Sequence, residues 1–199
     1  MEFFAKKNSL TLTFDDTTMQ VAMFGSARPD PTNPLYAQTE AAARTLASAG
    51  FTIATGGGPG LMEAANKGAM SVCTGSICSL GYSIYLPFEA ETNEFVQHDT
   101  PHETFHTRLQ QFCDENDGFI ALPGGYGTLL EVLMVLQLKQ VQHIEDKPII
   151  LVGNMWRRTM DVVADNLSSN GFISSHDRYL HLYANTPEEA ADIMVLKLK

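Results

Sequence analysis

Gly118-Phe119-Ile120-Ala121-Leu122-Pro123-Gly124-Gly125-Tyr126-Gly127-Thr128 is the stretch whose reading decides the fold. Residues 118–122 form a short buried-strand pattern. A proline and three glycines end it, and a strongly apolar helical run follows over 128–141. The same strand, turn and helix recur upstream. Gln20-Val21-Ala22-Met23-Phe24 ends at Gly25-Ser26, and the strand pattern over 51–55 ends at Gly56-Gly57-Gly58-Pro59-Gly60, after which 61–70 reads as a helix. Residues 35–49 are Ala-rich and helical, stopped by Gly50. Residues 148–152 read as a strand ending at Gly153, 155–169 as a helix and 179–183 as a last strand. Thr186-Pro187-Glu188-Glu189 opens a final helix with a capping box and proline at its first position. Between these lie strand-like residues at 76–86, interrupted by Gly81, and a helix over 100–116. The alternation predicts an α/β fold: a doubly wound, mainly parallel sheet with helices on both faces and right-handed crossovers.

Composition sets the class. The chain has 199 residues, and 13 Lys+Arg against 23 Asp+Glu give a formal charge of −10. That length suits one domain, placed at 19–199, with residues 1–18 as an arm or edge strand carrying one alternating stretch over 10–14. The acidic balance argues against a nucleic acid polymer as partner, which needs a basic face. No apolar run reaches the ~20 residues that span a bilayer. Glu2 precedes any basic residue and no apolar h-region follows, so the start does not read as a signal peptide. The three cysteines, Cys73, Cys78 and Cys113, are an odd count without a CxxC pair and read as neither a disulfide framework nor a zinc site. A reducing cytoplasm is the expected setting.

Ligands of such sheets sit outside the carboxyl ends of the strands, where three glycine turns fall, at Gly25, Gly56 and Gly124. Glycine lets a ligand approach the backbone without a Cβ in the way. The helix that follows offers free N–H donors and a partial positive charge, together an anion site. The spacing G-x-G-x-x-G fails at both Gly56 and Gly125, where the sixth residue is leucine, and no G-x-x-x-x-G-K-[ST] exists. A mononucleotide or a sugar phosphate is left.

Pro123-Gly124-Gly125-Tyr126-Gly127-Thr128-Leu129-Leu130-Glu131 resembles P-G-G-x-G-T-x-x-E, the signature of the LOG ("lonely guy") phosphoribohydrolase family, whose members are often mislabelled as lysine decarboxylases. The run from Gly56 to Ala69 is similar to the family's G-G-G-x-G-[LIV]-M segment. Ile84-Tyr85-Leu86-Pro87-Phe88-Glu89, with Asn93 following, is similar to a stretch of its bacterial branch. The resemblance implies a Rossmann-like sheet, dimers or larger assemblies, and hydrolysis of the N-glycosidic bond of nucleoside 5′-monophosphates, AMP or cytokinin riboside monophosphates among them. It implies no metal or other cofactor. The family's catalytic arginine and glutamate map to Arg108 and Glu131, and its binding glutamate to Glu89. The phosphate is expected on Gly124, Gly125, Tyr126, Gly127 and Thr128. Gly25, Ser26, Gly57, Gly58 and Met62 are expected to complete the substrate site. Leu109 stands where the family usually has lysine, and Leu130 where it often has the first of two glutamates.

Plainer readings stand beside these. Glu131, expected in the first turn of its helix, also suits stabilisation of the helix dipole, worth ~0.3–1 kcal/mol. Arg108 at mid-helix also suits a surface salt bridge, worth about 0–1 kcal/mol. Glu89 also suits an exposed loop. The same fold with these departures also suits a non-catalytic nucleotide-binding protein. His102-Glu103-Thr104-Phe105-His106 is a literal H-E-x-x-H, the zincin helix pattern. Thr100-Pro101-His102-Glu103 gives it a simpler origin as a capping box with Thr100 at the N-cap. Cys113 is expected in the core, and Met134 and Leu138 in the core or a subunit interface.

Overall fold

The computed structural model describes residues 18–85 and 92–199. The expected arm and its 10–14 strand lie outside the described residues but for the last, and so does Glu89. The elements in chain order are β1 (Gln20–Phe24), α1 (Pro34–Ser48), β2 (Thr52–Thr55), α2 (Leu61–Met70), β3 (Ser79–Gly81), β4 (His98–Asp99) and α3 (Phe105–Glu115). They continue with β5 (Gly118–Ala121), α4 (Tyr126–Gln140), β6 (Ile149–Val152), α5 (Asn154–Ser169), β7 (Leu182–Ala184) and α6 (Pro187–Leu198). The seven strands form one sheet in the order β4-β3-β2-β1-β5-β6-β7, parallel at every pairing.

Period-two alternation builds two cores from one sheet. Val21 and Met23 of β1 point to one face, where Leu46, Leu61, Ile120, Ile150 and Met194 join them under α1, α2 and α6. Ala22 and Phe24 point to the other, among Phe119 and Leu151 of the neighbouring strands and Phe112, Val132, Val135 and Trp156 of the second helical layer. The expected doubly wound α/β fold is the observed one. β1 pairs with β2 on one side and β5 on the other. The strand order therefore reverses at β1, and the turns after β1, β2 and β5 are neighbours at one edge. Backbone bonds join them: Ser26 N donates to Pro123 O (3.2 Å) and Leu61 N to Ser26 O (2.9 Å). Trp156 Nε1 donates to Leu122 O (2.8 Å), fixing the residue that enters the glycine turn after β5.

Two expectations are corrected. The helix expected over 100–116 begins only at Phe105, with Thr104 as its N-cap, accepting from Thr107 N at 3.2 Å. Upstream residues join the sheet instead: β4 pairs with β3, Thr100 N donates to Gly81 O (2.8 Å), and Ile84 bridges His102. Strand pairing outcompetes the capping box proposed at Thr100. At α6 Thr186 accepts from Glu189 N, and the Glu189 carboxylate accepts in turn from Asn185 N (2.6 Å) and from the Thr186 backbone. Among the described residues no helix is long and apolar enough to cross a membrane.

The second correction is a disulfide between Cys73 and Cys78, in the turn that leads into β3. Cys113 is the free thiol, and burial pushes its pKa up to about 11. Alkylation of the unfolded, unreduced chain is therefore expected to add one label, and alkylation after reduction three, by intact mass. A loop this short closes with about 2 kcal/mol of chain entropy, so reduction should lower the stability measured by urea unfolding by about that amount.

Candidate active site

The site is built where α3 and α4 meet beneath the turn after β2. Arg108 belongs to the first turn of α3 and is buried, at 8% exposure. Its Nε donates to Tyr82 O (2.7 Å), its guanidinium stands 5.3 Å from the Phe112 ring one turn along, and its Nη1 lies 3.2 Å from Glu131 Oε1. Glu131 is 7% exposed. Burial pushes its pKa up to about 7, against the opposing pull of the Arg108 charge. The plainer readings of both residues fail on this geometry. α4 starts at Tyr126, so Glu131 lies in its second turn rather than its first, beyond the reach of a helix-end dipole. Arg108 is no surface cation. The two residues are each other's partner in a buried ion pair.

Gly56 makes room for that pair. A Cβ there would meet Arg108 Nη2 and, at 2.9 Å, Met62 Sδ. Met62 thus lies against the same turn as the guanidinium, its Cε under Gly58. The next residue, Gly57, has φ +74°, a conformation side chains rarely adopt. Gly57 N donates to Thr55 Oγ1 (2.9 Å), and Gly57 O accepts from both Asn93 N (2.8 Å) and Asn93 Nδ2 (3.0 Å).

The turn after β5 is the exposed part of the site. Gly125, Tyr126 and Gly127 are exposed, Tyr126 at 93% with its ring in solvent. The N-cap Gly125 supplies no side-chain cap to α4, which leaves the first-turn N–H groups facing outward for an anion. Thr128 is buried, its side chain occupying the space a Cβ on Gly124 would need. Gly25 is buried beside Leu61 and Leu122, and Ser26 is the backbone link between the three turns. The expected site residues that are described therefore gather at one edge of the sheet.

The H-E-x-x-H pattern is not one helical face. His102 lies outside α3 in the bridge to Ile84, and its ring bonds Thr107 Oγ1 (3.1 Å) and Gln111 Oε1 (2.6 Å). Leu109 is buried at 7%, while Leu130 is 45% exposed. Asn66 and Thr55 were not singled out from the sequence, and Asn93 entered only as the residue following the 84–89 stretch. Asn66 was visible only as a poor helix former inside the Ala-rich run of α2.

Two outcomes follow. Gly56→Ala should displace Arg108 from Glu131 and cost about 1–3 kcal/mol, read by thermal or urea unfolding. The pH dependence has a definite sign. A carboxyl with pKa about 7 in the folded state and 4.5 as its ordinary value binds more protons folded than unfolded in between. Its contribution is fully present below the ordinary value and is lost as pH rises through the folded one. Urea unfolding at about pH 5 and about pH 8 should show wild type losing more stability than Glu131→Gln over that interval.

A model of the family described as possible lysine decarboxylase matches residues 62–194, two thirds of the chain. Among curated proteins, the probable cytokinin riboside 5′-monophosphate phosphoribohydrolase LOGL2 of Oryza sativa subsp. japonica is 38% identical over 86 residues, 42% of this chain and 34% of that protein. LOG4 of Arabidopsis thaliana, a cytokinin riboside 5′-monophosphate phosphoribohydrolase, is 38% identical over 85 residues, 42% of this chain and 39% of that protein. The matched stretches thus span less than half the length of these relatives. Among solved structures, the molybdenum cofactor carrier protein of Chlamydomonas reinhardtii has a TM-score of 0.66 at 19% identity, covering 91% of this chain and 98% of that one. The molybdenum cofactor binding protein of Rippkaea orientalis has a TM-score of 0.62 at 22% identity, covering 92% and 98%. Those two likenesses are of fold alone. With two thirds of its length matched by the family model, this chain belongs to the LOG family, the one described as possible lysine decarboxylase.

Proposed function

We propose that the protein hydrolyses the N-glycosidic bond of a nucleoside 5′-monophosphate of the AMP or cytokinin riboside type, giving the free base and ribose 5-phosphate. The observation that carries this is the Arg108–Glu131 pair: a carboxyl with pKa about 7, buried, one turn beyond an open glycine turn at a helix start. Departure of the base leaves positive charge on the ribose. A carboxylate close to that charge stabilises it, and a carboxyl that titrates near neutrality accepts a proton from the attacking water. Arg108 pulls the Glu131 pKa back down against burial and presents a cation to the substrate. Backbone N–H groups of Gly125, Tyr126 and Gly127 hold the 5′-phosphate, with Gly124 and Thr128 shaping the turn and Gly25, Ser26, Gly57, Gly58, Met62 and Glu89 completing the pocket. The chemistry asks for no metal, and the proposed setting is the cytoplasm.

In this reading the protein works as a homodimer or larger assembly. Leu130 and Leu133 of α4 and Val163 and Leu167 of α5 line an apolar groove of about 440 Å³, and all four are among the exposed large hydrophobic residues. A second copy covering that face would bury it.

A second reading has its own support. Glu131 is already engaged by Arg108, which suits a nucleotide-binding protein without turnover. Ribose 5-phosphate release from AMP, CMP, GMP and isopentenyladenosine monophosphate separates the two. Hydrolysis by wild type that falls about 10²–10⁴-fold in Glu131→Gln supports the enzyme. Tight AMP binding with no release from any of the four supports the binding protein.

A further inference from the structure

Beneath the glycine turn lies a hydrogen-bond network that the reaction does not itself use. Asn66 of α2 is fully buried, and all of its amide capacity is spent. Its Oδ1 accepts from Thr55 Oγ1 (2.7 Å) and Asn93 Nδ2 (3.0 Å), and its Nδ2 donates to Ser79 Oγ (2.8 Å) and Leu80 O (3.2 Å). Asn93 Nδ2 also reaches Gly57 O and Gly58 O, each at 3.0 Å. Thr55, while donating to Asn66, accepts from Gly57 N. Two side chains, Thr55 and Asn93, thus grip the residues that follow Gly56, with Asn66 bonded to both, and Gly56 is the backbone against which the Arg108 guanidinium lies.

We propose that Asn93, oriented by Asn66 and Thr55, is a positioning residue for the Arg108–Glu131 pair: it fixes the Gly57 and Gly58 carbonyls, and through Gly56 sets where the guanidinium sits. The chain of contacts is continuous. The Asn93 amide holds Gly57 O, Gly57 is bonded to Gly56, and Gly56 packs on Arg108 Nη2, whose sister nitrogen Nη1 pairs with Glu131. The other side of the guanidinium is held by Tyr82 O. Arg108 is thus clamped between a strand-end carbonyl and a turn that Asn93 keeps in a left-handed conformation. This role rests on the proposed hydrolase reading only for its effect on rate. Its effect on the ion pair stands apart from that reading.

The test uses the full chain. The Glu131 titration midpoint is read by carbon-13 NMR of the side-chain carboxyl, and kcat and KM are measured with AMP. Asn93→Ala, with circular dichroism unchanged, is expected to raise the midpoint by about half a unit or more as Arg108 loses its fixed seat. It is also expected to lower kcat between about ten- and a hundredfold, with a smaller change in KM. A folded Asn93→Ala with wild-type midpoint and wild-type kcat overturns the proposal. If Asn93→Ala does not fold, Thr55→Val and Thr55→Ser decide. Serine keeps the hydroxyl and should keep the midpoint, and valine should move it. Equal midpoints in the two overturn it. If wild type shows no turnover, the hydrolase reading fails, while the midpoint comparison still decides whether Asn93 positions the pair.

Discussion

The buried pairing of Arg108 with Glu131 is the constraint around which this edge of the molecule is arranged. Taking two charges out of water costs several kcal/mol per ion, and their attraction offsets this only when geometry is good and the remaining donors are satisfied. Here the satisfaction is visible. The guanidinium has a backbone carbonyl at Tyr82, an aromatic face at Phe112 and a carboxylate at Glu131. Glu131 has one strong partner and little else, which is why burial outweighs Arg108 and its pKa lies above the ordinary range. Either residue buried alone would be an uncompensated charge. The pair therefore requires α3 and α4 to meet at this depth, and it requires a residue without a side chain at position 56.

That requirement propagates into the sheet. Because β1 has β2 and β5 as its two neighbours, the turns that follow these three strands cannot avoid one another. Bonds from Ser26 to Pro123 and from Leu61 to Ser26 make them one surface. The surface is rigid where it touches Arg108, through Gly56 and the side chains below it. It is open where α4 begins, because Gly125 offers no cap and Gly125–Gly127 are exposed. On the proposed reading, a fixed polar floor under an open backbone rim lets different elements hold a ligand's anionic end and its reacting bond.

Strands with dense apolar runs were legible from sequence because their burial on both faces leaves little choice of partner. β1 and α2 occupy the residues their patterns indicate, and β2, β5, β6, α1, α4 and α5 differ by a residue or two at their ends, whereas β3 is only three residues of the expected 76–86 and β7 begins three residues later than expected. The stretch 98–104 was not legible. Thr100, Pro101 and Glu103 carry good helix-start chemistry, but pairing with β3 gives the same backbone groups a better alternative. The start of α4 shows how a small shift changes chemistry. Beginning the helix at Tyr126 rather than Thr128 moves Glu131 out of the dipole's reach and makes burial the dominant influence on its carboxyl. The Cys73–Cys78 bond was hidden by an odd cysteine count. Asn66 was hidden because its role depends on residues 11 before, 13 after and 27 after it in the chain, a relation that no local pattern carries.

The two leucines that depart from the family's usual residues bear on how an anion would be held. Leu109 is buried and Leu130 half-exposed, so neither adds a charge beside the pair. Arg108 and Glu131 then nearly neutralise one another, and little net cation is left at the floor to attract a phosphate. The chain as a whole carries −10, which repels anions that come within about a Debye length, ~8 Å at physiological salt, and is largely screened beyond it. A phosphate bound here must therefore be held by short-range donors: the N–H groups at the start of α4 and the partial positive charge of that helix end, worth up to about 2 kcal/mol when partly shielded from water. On the proposed reading, the open glycines at 125 and 127 would supply what a lysine supplies by charge, namely close approach of backbone dipoles to the ligand, without upsetting the balance of the ion pair beneath.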